Sequence, residues 1–315
     1  MDSMKKFFLR FGLLVVICGA VLMALSRGYL ALLNTDYERN ENTTLKFEYV
    51  PERIQVACFG SSHAENGFQA VRYPRSDSFF NFSMQRENPI MDAALYKTYQ
   101  NHLDKDTIVI ITLSYFSFYD NTARSIDIMK RYIDFLPIKA LPNLKTQLFR
   151  LFRVVDFNLE PVLSFVEGRT AVYQEGETTT LASRYTEEER ITMGRKRSET
   201  YFQQIGDAKL DPEIDAALRG MIADCLNNGY RPVLVTTPYL DEFTRVFSDS
   251  FLTLFHEQCQ VYADAYGIPY LDYSRDARFA FTPNYFVDAD HLSSDGSEVF
   301  MNIFFDDLKA FYPEG

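Results

Sequence analysis

Arg53-Ile54-Gln55-Val56-Ala57-Cys58-Phe59 runs directly into Gly60-Ser61-Ser62-His63. The first seven residues are largely apolar and read as a buried strand that stops abruptly at the glycine and two serines. A serine at the carboxyl end of a parallel strand, where a helix starts, stands where open α/β sheets place ligands. There the N–H groups of the following turn can face a developing oxyanion. The plainer reading of the same residues is a helix cap, a position that favours serine.

Working outward, Ser78–Ser83, Arg231–Thr236 and Ile268–Tyr273 read as further strands, and Thr107–Leu113 is a continuous apolar, β-branched run of the parallel-core type. Between them lie helical patterns at Asn88–Leu103, Asp211–Asn228 and about 245–265. The second carries Pro212 at its start and Gly229 at its end. Strands alternating with helices in this way predict an α/β fold with a parallel sheet covered on both faces.

The 315 residues are 47% hydrophobic and 24% charged, which suits one large α/β domain with an appendage or two smaller domains. With 32 basic and 43 acidic side chains the net charge is −11, which disfavours a nucleic-acid partner. Four cysteines with no CxxC pair, and four histidines, point to neither a disulfide framework nor a structural zinc site. Nothing in the sequence calls for a metal or a cofactor.

Phe11 to Ser26 contains no charged residue, and with Phe7–Leu9 and a snorkelling Arg10 it gives about twenty residues, close to one bilayer crossing. Lys5, Lys6 and Arg10 precede it, so the positive-inside rule puts residues 1–33 down as a short cytoplasmic tail and membrane anchor. A cleaved signal peptide is the alternative, with Ala24-Leu25-Ser26 as the cleavage site. Either way the remaining chain is exported. It carries a net charge of −14 once the +3 of residues 1–35 is set apart. Residues 34–52 are polar and read as a linker, leaving 53–315 as the working domain.

The stretch of about 122–210 interrupts the α/β rhythm. It is rich in aromatic and basic residues up to Gly168, then polar from Glu175 to Arg197. This predicts a mostly helical insertion with a flexible charged portion, serving as a lid or docking surface or simply as a helical cover at the sheet edge.

A second candidate site is Phe286-Val287-Asp288-Ala289-Asp290-His291-Leu292. An aspartate three residues before a histidine can accept from the imidazole Nδ1–H and leave Nε2 as a general base. Asp290 competes with Asp288 for that role. The segment leads into an amphipathic terminal helix bearing Val299, Phe300, Ile303, Phe304, Leu308 and Phe311, a rigid support for a base.

Gly60-Ser61-Ser62 after the first core strand, with Asp288-x-x-His291 before the last helix, resembles the SGNH (GDSL-type) hydrolase superfamily. The resemblance covers about residues 53–311 apart from the insertion, and implies a three-layer αβα sandwich around a flavodoxin-like parallel sheet. It implies Ser62 as nucleophile, His291 as base, Asp288 as its orienting carboxylate, and the backbone N–H groups of Ser62 and Ser83 as oxyanion donors. Two motifs depart from the family: Ser83 stands for the usual glycine, and Ser114-Tyr115-Phe116 stands where an asparagine is expected, with no asparagine before Asn121. Together with the single N-terminal span, Gly-Ser-Ser in place of Gly-Asp-Ser looks like the membrane-anchored SGNH-like proteins of cell-envelope acylation. These include those of D-alanyl-lipoteichoic acid biosynthesis and of alginate and cellulose O-acetylation. That branch implies a serine acyltransferase or esterase acting on O-acyl groups of a cell-surface glycopolymer, beside a membrane-bound O-acyltransferase. A non-catalytic scaffold for such an acyltransferase is the alternative. Three more residues enter as substrate-side candidates: His63 as a pocket wall, Tyr115 as a wall of an acceptor groove or a core residue, and Tyr239 as a substrate contact after strand Arg231–Thr236.

Overall fold

A computed structural model describes residues 2–41, 44–69, 76–133, 136–141, 143–170 and 180–313. The chain forms two compact units, one of Met1–Tyr49 with Ile126–Tyr173, the other of Val50–Ser125 with Gln174–Gly315. The stretch read as one insertion at about 122–210 is therefore shared: its first part joins the N-terminal segment, and its second belongs to the α/β unit. Residues 171–179, within that stretch, lie outside the described residues.

Among the described residues the α/β unit is built on five strands: β1 (Ile54–Phe59), β2 (Phe79–Asn81), β3 (Leu103–Thr112), β4 (Arg231–Thr236) and β5 (Tyr270–Asp272). Their order is β2-β1-β3-β4-β5 and every pairing is parallel. All five fall on stretches that read as strands. β3 starts earlier than its apolar run suggests, because Leu103 pairs with Ile54 before an irregularity carries the register on to Val56 and Ile108.

Successive residues Val56, Ala57, Cys58 and Phe59 of β1 are all buried, as are Ile108–Ile111 of β3, so over these stretches neither face meets solvent. That is why they read as unbroken apolar runs rather than as alternating ones. Phe68, Phe300, Phe304 and Leu308 pack with Val56, Cys58, Ile110 and Val233 into one core cluster. The terminal helix Ser294–Leu308 supplies three of these residues and thereby fixes the loop that precedes it.

The other unit is dominated by the helix Asp2–Leu33, whose stretch Met4–Leu33 is long and apolar enough to cross a membrane, with an 18-residue window of mean hydropathy 2.5. Residues 34–52 are more than a linker: Asp36–Glu41 is helical, and Leu45 in the short 3-10 helix Leu45–Tyr49 is buried. The helices Ile126–Ile133, Leu144–Leu151 and Glu160–Val166 complete this unit.

Candidate active site

At the end of β1, Gly60 takes φ +141°, and a side chain there would press on Thr112 and Ala64, so this tight exit needs glycine. Ser61 then caps the helix Ser62–Gly67, its hydroxyl accepting from the His63 N–H. The capping reading thus holds for Ser61, while Ser62, the first helical residue, is left half-buried with its hydroxyl free for another partner.

That partner is His291. Ser62 Oγ lies 2.8 Å from His291 Nε2, and His291 Nδ1 lies 2.8 Å from Asp288 Oδ2 and 3.0 Å from Oδ1. The loop holding the base is fastened several times over. Asp288 Oδ1 also accepts the backbone N–H groups of Asp290 and His291. Val287 N–H donates to His291 O, and Ser293 N–H to Tyr285 O. Gly296, in the first turn of the terminal helix, passes so close to the Tyr285 carbonyl that no larger residue fits.

With Asp288 accepting from the Nδ1–H, Nε2 presents a lone pair to the Ser62 hydroxyl, as a general base requires. Burial opposes the imidazolium of His291, but the charges of Asp288 and Asp290 outweigh it and raise its pKa above the ordinary value.

Asp290 serves a different partner. It is 1% exposed and accepts from His63 Nε2 at 2.9 Å, Tyr201 OH at 2.6 Å and Arg197 Nε at 2.9 Å. Burial alone would raise its pKa, yet His291, His63 and Arg197 together hold it well below the usual carboxylate range. His63 is turned inward rather than lining a pocket. Its Nδ1 faces Ser114 Oγ at 2.7 Å and Tyr239 OH at 3.0 Å, and burial lowers its pKa. The two histidine rings stand 5.1 Å apart, each on its own aspartate.

Arg197 and Tyr201 come from the helix Glu187–Ile205, which begins inside the polar stretch Glu175–Arg197 and runs past its end. Its polarity hides it, but Thr186 with Glu189 is a complete capping box, a signal that marks a helix start in sequence. Arg197 Nη2 also lies 3.5 Å from His291 Nε2, placing a cation at the edge of the serine–histidine pair.

Three expectations change. Ser83 N–H donates to Asn81 Oδ1 at 3.0 Å, so it is not directed at an oxyanion. Asn81, which also donates to the Ala64 and Phe68 carbonyls, locks that turn to the back of the serine helix. Tyr115 is 1% exposed in a cluster with Phe247 and Phe255, so it packs the core and walls no groove. Tyr239 is fully buried behind His63 and meets substrate no better. Both follow strand ends, where apolar rings close the sheet edge.

His63, Asp290 and His291 could together offer three ligand atoms within 4.8 Å of one another. The donor set fits a metal poorly. The Asp290 oxygens already accept from His63, Tyr201 and Arg197, and the Arg197 guanidinium supplies the positive charge a divalent ion would bring. Comparison of the sequence with models of known protein families and with curated proteins gives no match.

Proposed function

We propose that the α/β unit is a serine acyl-transfer enzyme of the SGNH type, folded as a three-layer sandwich and held outside the cell by a single N-terminal membrane span. The observation that carries this reading is the chain of contacts from Ser62 Oγ to His291 Nε2 and from His291 Nδ1 to Asp288. Ser62 Oγ attacks the carbonyl carbon of an acyl ester or thioester while its proton passes to His291 Nε2. The Ser62 N–H contributes to stabilising the oxyanion, and His291 returns the proton to the departing group. The same base then takes the proton of a sugar hydroxyl, which attacks the acyl-serine carbonyl, and returns it to Ser62 Oγ as the acyl–serine bond breaks. The acceptor is a cell-surface glycopolymer, and the acyl donor is supplied by a membrane-bound O-acyltransferase. No cofactor enters any step.

A scaffold without catalysis is the second reading, favoured by the engagement of the Ser83 N–H with Asn81 and by Ser114 standing where the family's asparagine is expected. Loss of one oxyanion donor typically costs about 2.7–4 kcal/mol of barrier, enough to silence a weak enzyme. Turnover of an activated acetyl ester separates the two. The enzyme reading expects acetate release by the purified full chain that disappears in Ser62→Ala and His291→Ala. Equal release from all three proteins, or none from any, supports the scaffold.

A further inference from the structure

We infer that the segment 138–166 lies on the outer lipid–water interface of the membrane, making the unit of Met1–Tyr49 and Ile126–Tyr173 a base seated on the bilayer rather than a stalk above it. The inference rests on the reading of helix Asp2–Leu33 as a membrane span. Leu144, Leu148 and Leu151 recur at helical spacing on the helix Leu144–Leu151, and this apolar stripe is turned outward, at 67%, 46% and 38% exposure. A helix of a water-soluble body turns such a stripe inward. Val155, Phe157 and Phe165 extend the exposed apolar surface, at 69%, 55% and 61%. Exposed apolar side chains gathered on one short segment in this way mark a binding face.

The occupant follows from where the surface is tied. Val154 N–H donates to Ser26 Oγ at 3.2 Å, and Tyr29 OH both donates to Asn158 O at 3.2 Å and accepts from Asn158 N at 2.9 Å. The Tyr29 and Phe157 rings meet at 5.2 Å. From Phe7 to Ser26 the helix rises roughly 28 Å, close to the ~30 Å hydrocarbon thickness, so Ser26 and Tyr29 reach the far edge of the apolar layer. Residues 154–158 are thus held at that depth, with Val155 and Phe157 exposed. From 138 to 166 the chain carries four basic residues against Asp156 and Glu160; Arg153 is buried and paired with Asp156, while Lys139 and Lys145 are exposed beside the leucine stripe. Basic and bulky apolar groups interleaved on one short segment suit an interface of anionic headgroups over acyl chains.

The test uses the full chain in vesicles of phosphatidylcholine and phosphatidylglycerol carrying brominated acyl chains, with an environment-sensitive fluorophore on one cysteine. Cys58, Cys225 and Cys259 are buried, so native Cys18, exposed on the helix, takes the label in the unmodified protein and reports the span itself. In a Cys18→Ala background, Leu148→Cys, Val155→Cys and Phe165→Cys report the proposed face. Val261→Cys, an exposed apolar site on the helix Asp249–Tyr266, is the control. The expected result is quenching at 148, 155 and 165 several-fold above that at 261, strongest for bromines near the headgroups, while Cys18 is quenched best by bromines near the chain ends. Quenching at Cys18 with none above control at the three sites overturns the interfacial seat and leaves the span intact. No quenching at Cys18 overturns both. Shielding of the three sites in native membranes but no quenching in pure lipid overturns the lipid assignment in favour of a protein partner.

Discussion

Replacing Asp288 by asparagine separates the two aspartates of the site. Asp288 Oδ1 accepts the N–H groups of Asp290 and His291, so an asparagine keeps its carbonyl oxygen there and turns its amide nitrogen to the Oδ2 position. That nitrogen then faces His291 Nδ1 across 2.8 Å, and two donors cannot share the contact. His291 responds by moving its proton to Nε2, which aims an N–H at Ser62 Oγ and leaves no base to receive the serine proton. The nearest precedent for a wrong-tautomer triad loses about four orders of magnitude, so a fall of roughly 10³–10⁴ is expected, about 4–5.5 kcal/mol of barrier. Asp290→Asn acts elsewhere. It removes the charge that His63, Tyr201 and Arg197 address and leaves donors unmatched in a buried place. Its stability cost is about 3 kcal/mol, the low end for breaking a buried pair, since the Arg197 side chain is 37% exposed and can turn to water. Rates of labelling by a fluorophosphonate, measured beside urea unfolding, read both effects. Near-normal labelling of Asp288→Asn, together with lost labelling in an Asp290→Asn protein of native stability, would reverse the assignment and refute this reasoning.

The pH dependence of labelling should carry the signature of His291. Only the neutral ring accepts the serine proton, and its pKa is raised, so the rate falls with acidification about a midpoint above the ordinary histidine value of 6.5. A midpoint below 6.5 would show that burial outweighs the two aspartates. Asp92, buried with a single N–H from Gly60, has its carboxyl pKa pushed well above the usual range by desolvation, so it is expected to hold its proton. Asp92→Asn should therefore change unfolding free energy by no more than about 1 kcal/mol, and a loss near 3 kcal/mol in urea would mean the carboxylate is charged.

The centre of the sheet was legible because Thr107–Leu113 is buried on both faces and so reads as an unbroken apolar run. Asp288 and His291 were legible because their pairing is local, three residues apart on one turn. Asp290 was not, since what distinguishes it lies far along the chain, on Arg197 and Tyr201 of a helix whose sequence is mostly polar and charged. His63 misled for a related reason: adjacent side chains diverge, and that geometry sends it into the core while Ser62 faces out. The division of the 122–210 stretch between two units rests on tertiary contacts such as Tyr29 with Asn158, which no local pattern announces.

The most direct measurement is peptide mapping by mass spectrometry after brief fluorophosphonate treatment of the folded full chain. The adduct is expected on Ser62 alone, abolished in His291→Ala as well as in Ser62→Ala. An unlabelled chain, or labelling at Ser62 that survives the loss of His291, would contradict the claim that this serine is activated by that histidine.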